Sequence, residues 1–565
     1  MKNFMPPTSK FLCLLWMLFY SSLANATRYY FSSSQGDDSR SALQAQNPAT
    51  PWNSIAKLNA IFGGLVAGDV ILLKRGDVFR GSILVTASGS AGNPIVLEAY
   101  GTGDKPVVSG LSSLSGWTAA GRNIWETTLP SGNETVNVLL LNEIIRPLGR
   151  YPNATAPNKG YLTIERFSTN TSISDNELSG NPDWDGGEVV IRKNRWVLDR
   201  NKITGHNENT IHYASQSAYY PSANYGYFIQ NHPKTLDLDG EWYYNSTNKK
   251  IGIYSSAGAP SSVQASTVNT LARVHNQNNI RFQGIHFKGA NANAIEVDNA
   301  YGVQLLDCDI LFSGANGLLS SSSNNLHVED CTISYTNNTA LELRYSSNAV
   351  IKGNTIKRTG IFPGMGKGDS GSYEGILMDG DNELVEGNEI DSTGYIPITF
   401  RGNVNIIKNN FISNYNFVKD DGGGIYTWNN IAGAAPTYGS KINNNIVING
   451  KGAGAGTDDP AYHAANGIYM DDNTAGVEIR GNTVANCGLY GLYIHNGHEL
   501  SIEDNTFYNS RSQAVLAHDN YAAYAPIRNV NMFNNVFFSK DNSQLLAEFK
   551  TPKNDIADFG TFNNN

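Results

Sequence analysis

The feature that most constrains the fold of this chain is a short pattern that returns every 23 residues. Four segments share it: Phe282–Phe287, Leu305–Ile310, Val328–Ile333 and Ile351–Ile356. Repeats of this length are typical of solenoids, in which each unit buries its apolar face against its neighbours. The units contain short β-branched runs separated by Asn and Gly, which favours strands over helices. We therefore predict a stack of parallel β-coils.

The fourth position of the pattern becomes a column of asparagines along the chain. In a parallel stack, a residue type that returns in each coil lies above itself at about 4.8 Å. Stacked amides can then hydrogen-bond along the stack and to the turn backbone. Cys308 and Cys331 fall in the same column, and we interpret them as small buried substitutes rather than metal ligands. The predicted ladder contains Asn354, Asn388, Asn410, Asn445, Asn482, Asn505 and Asn535.

A second set of strands begins ten residues after each ladder position. Its first and third residues are mostly apolar and are predicted to face inward, so the second and fourth face outward. Exposed aromatic side chains interleaved with charges are typical of a binding surface. The alternative is that the aromatics only stack between coils. The predicted substrate-binding residues of this groove are Glu342, Arg344, Asp379, Arg401, Tyr426, Trp428, Tyr469, Tyr493 and His518.

Insertions point to the same face. The coils that begin at Asn354, Asn410 and Asn445 are 12, 5 and 13 residues longer than the others just before the groove strand. All three insertions leave the same turn, so we predict that they lie side by side along one edge of the groove. Loops on a rigid scaffold are where functional sites are usually assembled.

The middle insertion carries the strongest catalytic motif, the segment Lys419–Gly424 with adjacent carboxylates at Asp420 and Asp421. Glycoside hydrolysis needs one protonated carboxyl group and one ionised carboxyl group. We predict that Asp420 or Asp421 is the general acid, and that the other, or Asp471, is the base. His495 is the rival base, because an exposed histidine titrates near neutrality. A Ca²⁺ site or a plain Asp-Gly turn is the alternative.

Several segments resemble secreted bacterial right-handed parallel β-helix proteins of the pectin-lyase type. They are Tyr30–Asp38, Pro51-Trp52, Gly68-Asp69, Lys74–Asp77, Ala99–Gly101 and Leu236–Tyr244. The resemblance implies an all-β right-handed β-helix with a carbohydrate-active role, and it covers nearly the whole chain after residue 26.

Two resemblances concern the site. The pair Asp420-Asp421 before a groove strand is similar to the paired aspartates of polygalacturonases, but the third acid of that family is replaced by Thr399 and Arg401. The strand Ile398–Arg401 resembles the arginine-bearing strand of β-helix alginate and chondroitin lyases. The lysine of those lyases is absent, because Asp379 and Gly380 occupy its place.

The remaining sequence suggests the domain organisation. Residues 1–26 are predicted to be a signal peptide with an Ala24-Asn25-Ala26 cleavage site, so the protein is expected to be secreted. Residues 27–150 are predicted to form the N-terminal cap and first coils, 151–265 an inserted β-rich module, and 266–565 the coils that carry the groove. No later segment is long enough to span a membrane.

Three functions are compatible with these features. We expect a glycoside hydrolase that acts as a monomer on a polysaccharide or oligosaccharide, with no required cofactor and Ca²⁺ as an option. A polysaccharide lyase and a non-catalytic glycan-binding adhesin are the alternatives. The net charge of −9 favours a neutral or weakly charged glycan over a densely sulfated one. Nothing in the sequence indicates nucleic-acid binding.

Overall fold

The structure is a computed structural model that describes residues 26–130, 133–179, 183–429 and 437–565. The predicted signal peptide lies almost entirely outside these residues. Within them, no helix has both the length and the apolar character needed to cross a bilayer.

Three long parallel sheets form the faces of a β-helix, as predicted. The first sheet contains Arg28–Phe31, Val70–Lys74, Ile95–Tyr100, Ile280–Gln283, Gln304–Leu306, His327–Glu329, Val350–Lys352, Leu384–Glu386, Ile406–Lys408, Lys441–Asn443, Glu478–Arg480, Ser501–Glu503, Val530–Phe533 and Gly560–Asn563. The second sheet contains Val78–Arg80, Val107–Ser109, His286–Ala290, Asp309–Ser313, Thr332–Thr336, Thr355–Thr359, Glu389–Thr393, Phe411–Tyr415, Ile446–Gly450, Thr483–Ala485, Thr506–Tyr508 and Val536–Phe538. The groove sheet contains Ile83–Val85, Ala272–His275, Ile295–Asp298, Leu318–Ser321, Leu341–Ser347, Ile376–Asp381, Ile398–Arg401, Gly422–Thr427, Ala465–Met470, Tyr490–His495, Ser512–Ala517 and Leu545–Lys550.

The predicted asparagine ladder is confirmed at the turn between the first and second sheets. The Nδ2 of Asn388 donates to Oδ1 of Asn410 at 2.9 Å, and Asn410 repeats the contact with Asn445 at 2.9 Å. Each amide also donates to a main-chain carbonyl of the preceding coil, as Asn410 does to Val385 at 3.0 Å. Cys331 stands in the same column and its backbone N–H donates to Oδ1 of Asn354. The ladder therefore satisfies buried turn backbone that has no strand partner.

The register of the groove sheet agrees with the predicted columns except at its end. Tyr426 pairs with Tyr469, and Tyr469 pairs with Tyr493. In the next strand, however, Tyr493 pairs with Val515 and His495 with Ala517. The predicted register placed His518 opposite His495 and is wrong by one residue, because this coil is one residue shorter between its ladder position and its groove strand. A slip of one residue moves every side chain to the opposite face.

The chain leaves the coil stack after Ser109 and returns at Ala272, whose strand pairs with Ile83–Val85. The departing segment forms three antiparallel sheets and begins at Leu111, earlier than the predicted module start at Tyr151. The first sheet of this module contains Leu111–Leu114, Leu139–Leu141, Ile144–Ile145 and Val263–Ser266, and the second contains Thr118–Gly121, Ile124–Thr128, Trp242–Asn245 and Lys250–Tyr254. The third contains Arg150–Tyr151, Leu162–Thr163, Arg166–Thr169, Ser172–Ser174, Glu188–Arg192, Leu198–Asn207, Thr210–Ala214 and Gly226–Gln230.

Helices are few in the described part of the chain. The helix Ile55–Phe62 is capped by the side chain of Ser54, and it packs Ile55, Leu58 and Phe62 into the apolar core of the first coils. Shorter helical segments are Gln44–Gln46, Pro157–Gly160, Asn176–Leu178, Pro233–Thr235 and Ile556–Asp558. The core itself is the interior of the coils, filled by the inward residues of all three sheets.

Candidate active site

A cavity of about 340 Å³ opens on the groove sheet where the insertions meet the module. Groove strands contribute its floor, the insertions contribute one wall, and the module contributes two aromatic side chains. Of the residues predicted for the site, the lining includes Arg401, Asp421, Tyr426, Trp428, Tyr469, Asp471 and His495. It also includes residues that the sequence did not single out: Trp196, Tyr219, Glu374, Tyr395, Asp472 and Tyr524.

The two adjacent aspartates of the middle insertion have different environments. Asp420 is completely buried. Its Oδ2 accepts from Arg195 Nη1 at 2.7 Å, and its Oδ1 accepts from the backbone N–H of Ala453 at 3.2 Å. Asp420 does not line the cavity, and its carboxylate is occupied by the module. This ion pair fixes the module against the insertion.

Asp421 faces the cavity because the backbone turns sharply at this residue. Its φ of 57° lies in the left-handed region, which Asp tolerates better than most residues. Gly422 follows directly, and a Cβ there would lie 2.8 Å from the Tyr395 ring. Tyr395 in turn donates its hydroxyl to the Asp421 carbonyl at 2.9 Å. The Gly-rich sequence is therefore needed to hold the Asp421 carboxyl against the aromatic wall.

The environment of Asp421 favours its protonated form. Burial, and then the nearby Asp471 and Asp420 carboxylates, raise the pKa of Asp421 from 3.8 to about 7. Both causes act on the charged form, since desolvation and like charges disfavour an anion. Asp421 can therefore hold a proton at a pH at which ordinary aspartates are ionised.

Asp471, on the next coil, differs from Asp421 in the hydrogen-bond partners of its carboxyl group. It follows the strand Ala465–Met470, and both of its oxygens accept hydrogen bonds. The hydroxyl of Tyr426 donates to Oδ2 at 2.8 Å, and Nδ1 of His495 lies 2.8 Å from Oδ1. Hydrogen bonds from a hydroxyl and a charged imidazole favour a carboxylate. The cavity thus holds one carboxyl group with a raised pKa and a second whose two oxygens are fixed by hydrogen-bond partners.

His495 is not the free exposed base that the sequence suggested. Its side chain is 19% exposed, and it bridges acids, with Nε2 3.0 Å from Asp519 Oδ2. Burial lowers the pKa of His495, but the hydrogen bond and charge of Asp471, with Asp519 and Asp472, raise it to about 9. The imidazole is therefore protonated near neutrality, and its Nδ1 donates to Asp471 Oδ1.

The three groove tyrosines line up as predicted but do not form an open platform. Tyr469 is only 4% exposed. Its ring stacks on Tyr493 at 4.6 Å between centroids and meets the edge of Tyr426 at 5.1 Å. The expectation of an exposed sugar platform is wrong for Tyr469, and stacking between coils describes it better. The column instead supports Tyr426, whose hydroxyl reaches Asp471.

The other predicted groove residues lie at the edge of the cavity, outside it, or buried away from the groove surface. Arg401 lies over the Trp428 ring at 4.7 Å from its centroid, at the edge of the cavity. Glu342 and Arg344 form an ion pair of 2.9 Å outside the cavity, and Asp379 also lies outside it. His518 is only 2% exposed and packs against Tyr521, so its predicted outward position is wrong.

The module forms the far wall of the cavity. Arg192 is buried and donates to the carbonyl of Val418 at 2.8 Å, next to the Arg195–Asp420 ion pair. Asp199 accepts from the backbone N–H of Asp369 in the first insertion at 2.8 Å. These contacts present Trp196 and Tyr219, both 36% exposed, to the cavity. No sequence signal indicated them, because the contacts join residues more than 150 positions apart.

Two further features bear on ligands. Asp471, Asp472 and His495 offer ligand atoms within 4.8 Å of one another, so they could hold a divalent cation in place of the imidazolium contacts. A second cavity of about 860 Å³ lies in the module, but its Glu188 is already paired with Arg200 at 2.7 Å and bonded to Gln230.

Comparison with known proteins supports the fold assignment. The sequence matches the family described as right handed beta helix region over residues 270–457 and 367–557, which together cover just over half of the chain. A solved glycoside hydrolase is 15% identical, with a TM-score of 0.63, and the match covers 94% of this chain and 98% of that one. At this identity the likeness shows a shared fold.

Two of the similar proteins carry a more specific description. The lacto-N-biosidase of Bifidobacterium longum subsp. longum is 36% identical over 93 residues, which is 16% of this chain and 6% of that protein. The chain thus matches only a small part of this curated relative. A solved lacto-N-biosidase from Eubacterium ramulus is 12% identical with a TM-score of 0.40, covering 95% of this chain and 67% of that one.

Proposed function

The chain belongs to the right-handed beta helix family, and from that premise we propose that it is a secreted glycoside hydrolase that cleaves a polysaccharide or oligosaccharide in the groove. One observation carries the proposal: Asp421, whose pKa is raised to about 7, and Asp471, whose two oxygens are held by Tyr426 and His495, line one cavity. Glycoside hydrolysis uses such a pair of carboxyl groups, one of which donates a proton to the leaving oxygen.

Asp421 is the general acid of this mechanism. A pKa of about 7 keeps a proton available near neutrality. The carboxyl group donates this proton to the glycosidic oxygen while the bond from that oxygen to the anomeric carbon breaks. The leaving sugar therefore departs as a neutral alcohol rather than as an alkoxide.

Asp471 provides the second carboxyl group. As a carboxylate it removes a proton from the water that attacks the anomeric carbon, or attacks that carbon itself. Tyr426 and His495 hold its two oxygens at 2.8 Å each, and this fixes its orientation. Positive charge that develops on the sugar ring at the transition state is stabilised by this anion.

The aromatic walls fit a sugar ligand. Trp196, Tyr219 and Trp428 line the cavity, and they present apolar ring surface beside polar groups. Small-ligand sites typically combine apolar walls with a few placed polar groups. The 36% identical segment shared with a protein named lacto-N-biosidase supports a carbohydrate substrate as well.

The proposal is tested by a panel of polysaccharides and oligosaccharides, read both by new reducing ends and by the absorbance of unsaturated products. We expect reducing ends without unsaturated product from the wild-type protein. Asp421→Asn and Asp471→Asn should each lower kcat by roughly 100-fold or more, since general acid–base catalysis contributes about 10²–10⁴-fold.

The outcomes separate the alternatives. Unsaturated product together with reducing ends would make the protein a lyase. Glycan binding without any product would favour the adhesin. Folded Asp421→Asn and Asp471→Asn proteins that retain wild-type turnover would show that the chemistry uses other groups.

A further inference from the structure

Two polar side chains in the cavity lack hydrogen-bond partners among the described residues. Glu374 is 2% exposed and Thr399 is 4% exposed, and both line the cavity. By hydrogen-bond geometry neither Oε2 of Glu374 nor Oγ1 of Thr399 has a partner, although the Thr399 hydroxyl lies close enough to the Glu374 carboxyl group to lower its pKa. A buried polar atom without a partner is unfavourable, so such atoms in a cavity indicate that a ligand or water meets them.

The strand register places the side chains of Glu374 and Thr399 next to each other. Glu374 ends the first insertion, two residues before the groove strand Ile376–Asp381. Ile376 pairs with Ile398, so Thr399 stands on the next coil one residue along, with its side chain outward. The first insertion and the groove sheet thus place a carboxyl group and a hydroxyl group side by side. Asp421 belongs to the following insertion of the same wall.

A sugar hydroxyl matches this pair in either protonation state of Glu374. Burial raises the pKa of Glu374, whereas Thr399 and the positive charge of Lys419 oppose that effect. Lys419 does not occupy the carboxyl group, because its Nζ donates to Ser372 Oγ at 2.9 Å and to the Asp369 carbonyl at 3.2 Å. A hydroxyl both donates and accepts, so it can satisfy a carboxylate or a carboxylic acid.

The charge of the cavity limits the kind of sugar. Four carboxyl groups line it, those of Glu374, Asp421, Asp471 and Asp472, against two cationic groups, Arg401 and His495. His495 is already paired with acids, and the Arg401 guanidinium lies on Trp428. Even with Asp421 protonated, the carboxyl groups of Glu374, Asp471 and Asp472 outnumber Arg401, the cation of this lining that is not already paired with an acid.

We propose that Glu374 and Thr399 form a subsite that binds the hydroxyl groups of an uncharged sugar, and so select neutral glycans over uronates. This inference rests on the proposed function, since it assigns the substrate class of the same cavity. The hydroxyls of one bound sugar unit complete the hydrogen bonds that Oε2 and Oγ1 lack. Both residues are binding groups, and neither takes part in the proton transfers.

The test measures binding by isothermal titration, so that it does not depend on turnover. Asp421→Asn protein is titrated with xylotriose, cellotriose, β-1,4-galactotriose and trigalacturonate. We expect at least one uncharged trisaccharide to bind more tightly than trigalacturonate. In the same background, Glu374→Ala should weaken that binding by roughly 10–100-fold and Thr399→Val by roughly 5–10-fold, the effects expected for lost hydrogen bonds.

Thr427→Val is the matched control. Thr427 is also buried and its Oγ1 also lacks a partner, but it does not line the cavity. Its variant should bind like the parent. Thermal unfolding separates binding from folding: Thr399→Val should keep or raise Tm, because it deletes an unpartnered hydroxyl, while weakening the ligand.

Four results would overturn the subsite. Two concern the ligands: trigalacturonate binds more tightly than every uncharged trisaccharide, or none of the three uncharged trisaccharides binds. Two concern the variants: Thr399→Val and Thr427→Val bind the ligand with equal affinity, or Tm falls for Thr399→Val but not for Thr427→Val. Failure of the proposed function is a separate result, because it is detected as turnover that survives Asp421→Asn, whatever the affinities are.

Discussion

Replacing Asp421 with Asn should stabilise the folded protein at neutral pH. The pKa of Asp421 rises from 3.8 to about 7 on folding. Between these values the unfolded chain is ionised and the folded protein holds the proton, so stability falls as pH rises from about 4 to 7. At about 1.4 kcal/mol per pH unit the full penalty is about 4 kcal/mol. Because the carboxyl group borders an accessible cavity, we expect about 2–4 kcal/mol.

The assay is calorimetric unfolding of wild type and Asp421→Asn at pH 4 and pH 7.5. With about 2.1 cal/mol/K per residue, the gain corresponds to a rise in Tm of roughly 2–3 °C at pH 7.5 and almost none at pH 4. Asp420→Asn is the matched control. It breaks the buried ion pair with Arg195 and should lower stability by about 3–5 kcal/mol at pH 7.5. Equal effects of the two substitutions, or a gain for Asp421→Asn that does not depend on pH, would show that folding does not raise the pKa of Asp421.

Other predictions follow from the same contacts. The kcat/KM for glycan hydrolysis should fall as pH rises through about 7, where Asp421 loses its proton; a profile that still climbs at pH 8 would contradict this. His495→Asn should lower kcat between pH 6 and 8 without changing Tm, since it removes the cation that holds Asp471. Steady-state kinetics would show no change in kcat if His495 were only structural. Asn410→Ala should lower the free energy of unfolding by roughly 1–3 kcal/mol, because it removes the acceptor of the buried Asn388 backbone N–H and the side-chain donor to the Val385 carbonyl; urea unfolding at wild-type stability would exclude a stabilising ladder.

The fold could be predicted because each coil is specified by a short sequence pattern that is repeated along the chain. Each coil restates the inward strand residues and the ladder asparagine, so the 23-residue spacing determined the sheets and their stacking. The register failed where the spacing itself changed, at the shortened coil before Val515. A pattern derived from neighbours cannot detect one missing residue in a segment without a distinctive side chain.

The site was predictable only in the parts that belong to the repeat. Asp471 and Tyr426 follow from the outward columns, and Asp421 from its Gly-rich turn. Asp420 and Asp421 differ because Arg195 forms an ion pair with Asp420 and leaves Asp421 facing the cavity. Arg195 lies in the module, and no sequence pattern connects it with the groove. Glu374 had a weak signal, since it ends an insertion directly before a groove strand, as the Asp421 turn also does.

The most direct test of the mechanism compares leaving groups. Asp421→Asn is assayed on the natural glycan and on a dinitrophenyl glycoside of the sugar that the wild-type protein releases. A dinitrophenolate leaves without protonation, so loss of the general acid should matter little for it. Asp421→Asn should lose roughly 100-fold or more of its kcat on the glycan and less than about 10-fold on the dinitrophenyl glycoside. Equal losses on both substrates would contradict the assignment of Asp421 as the general acid.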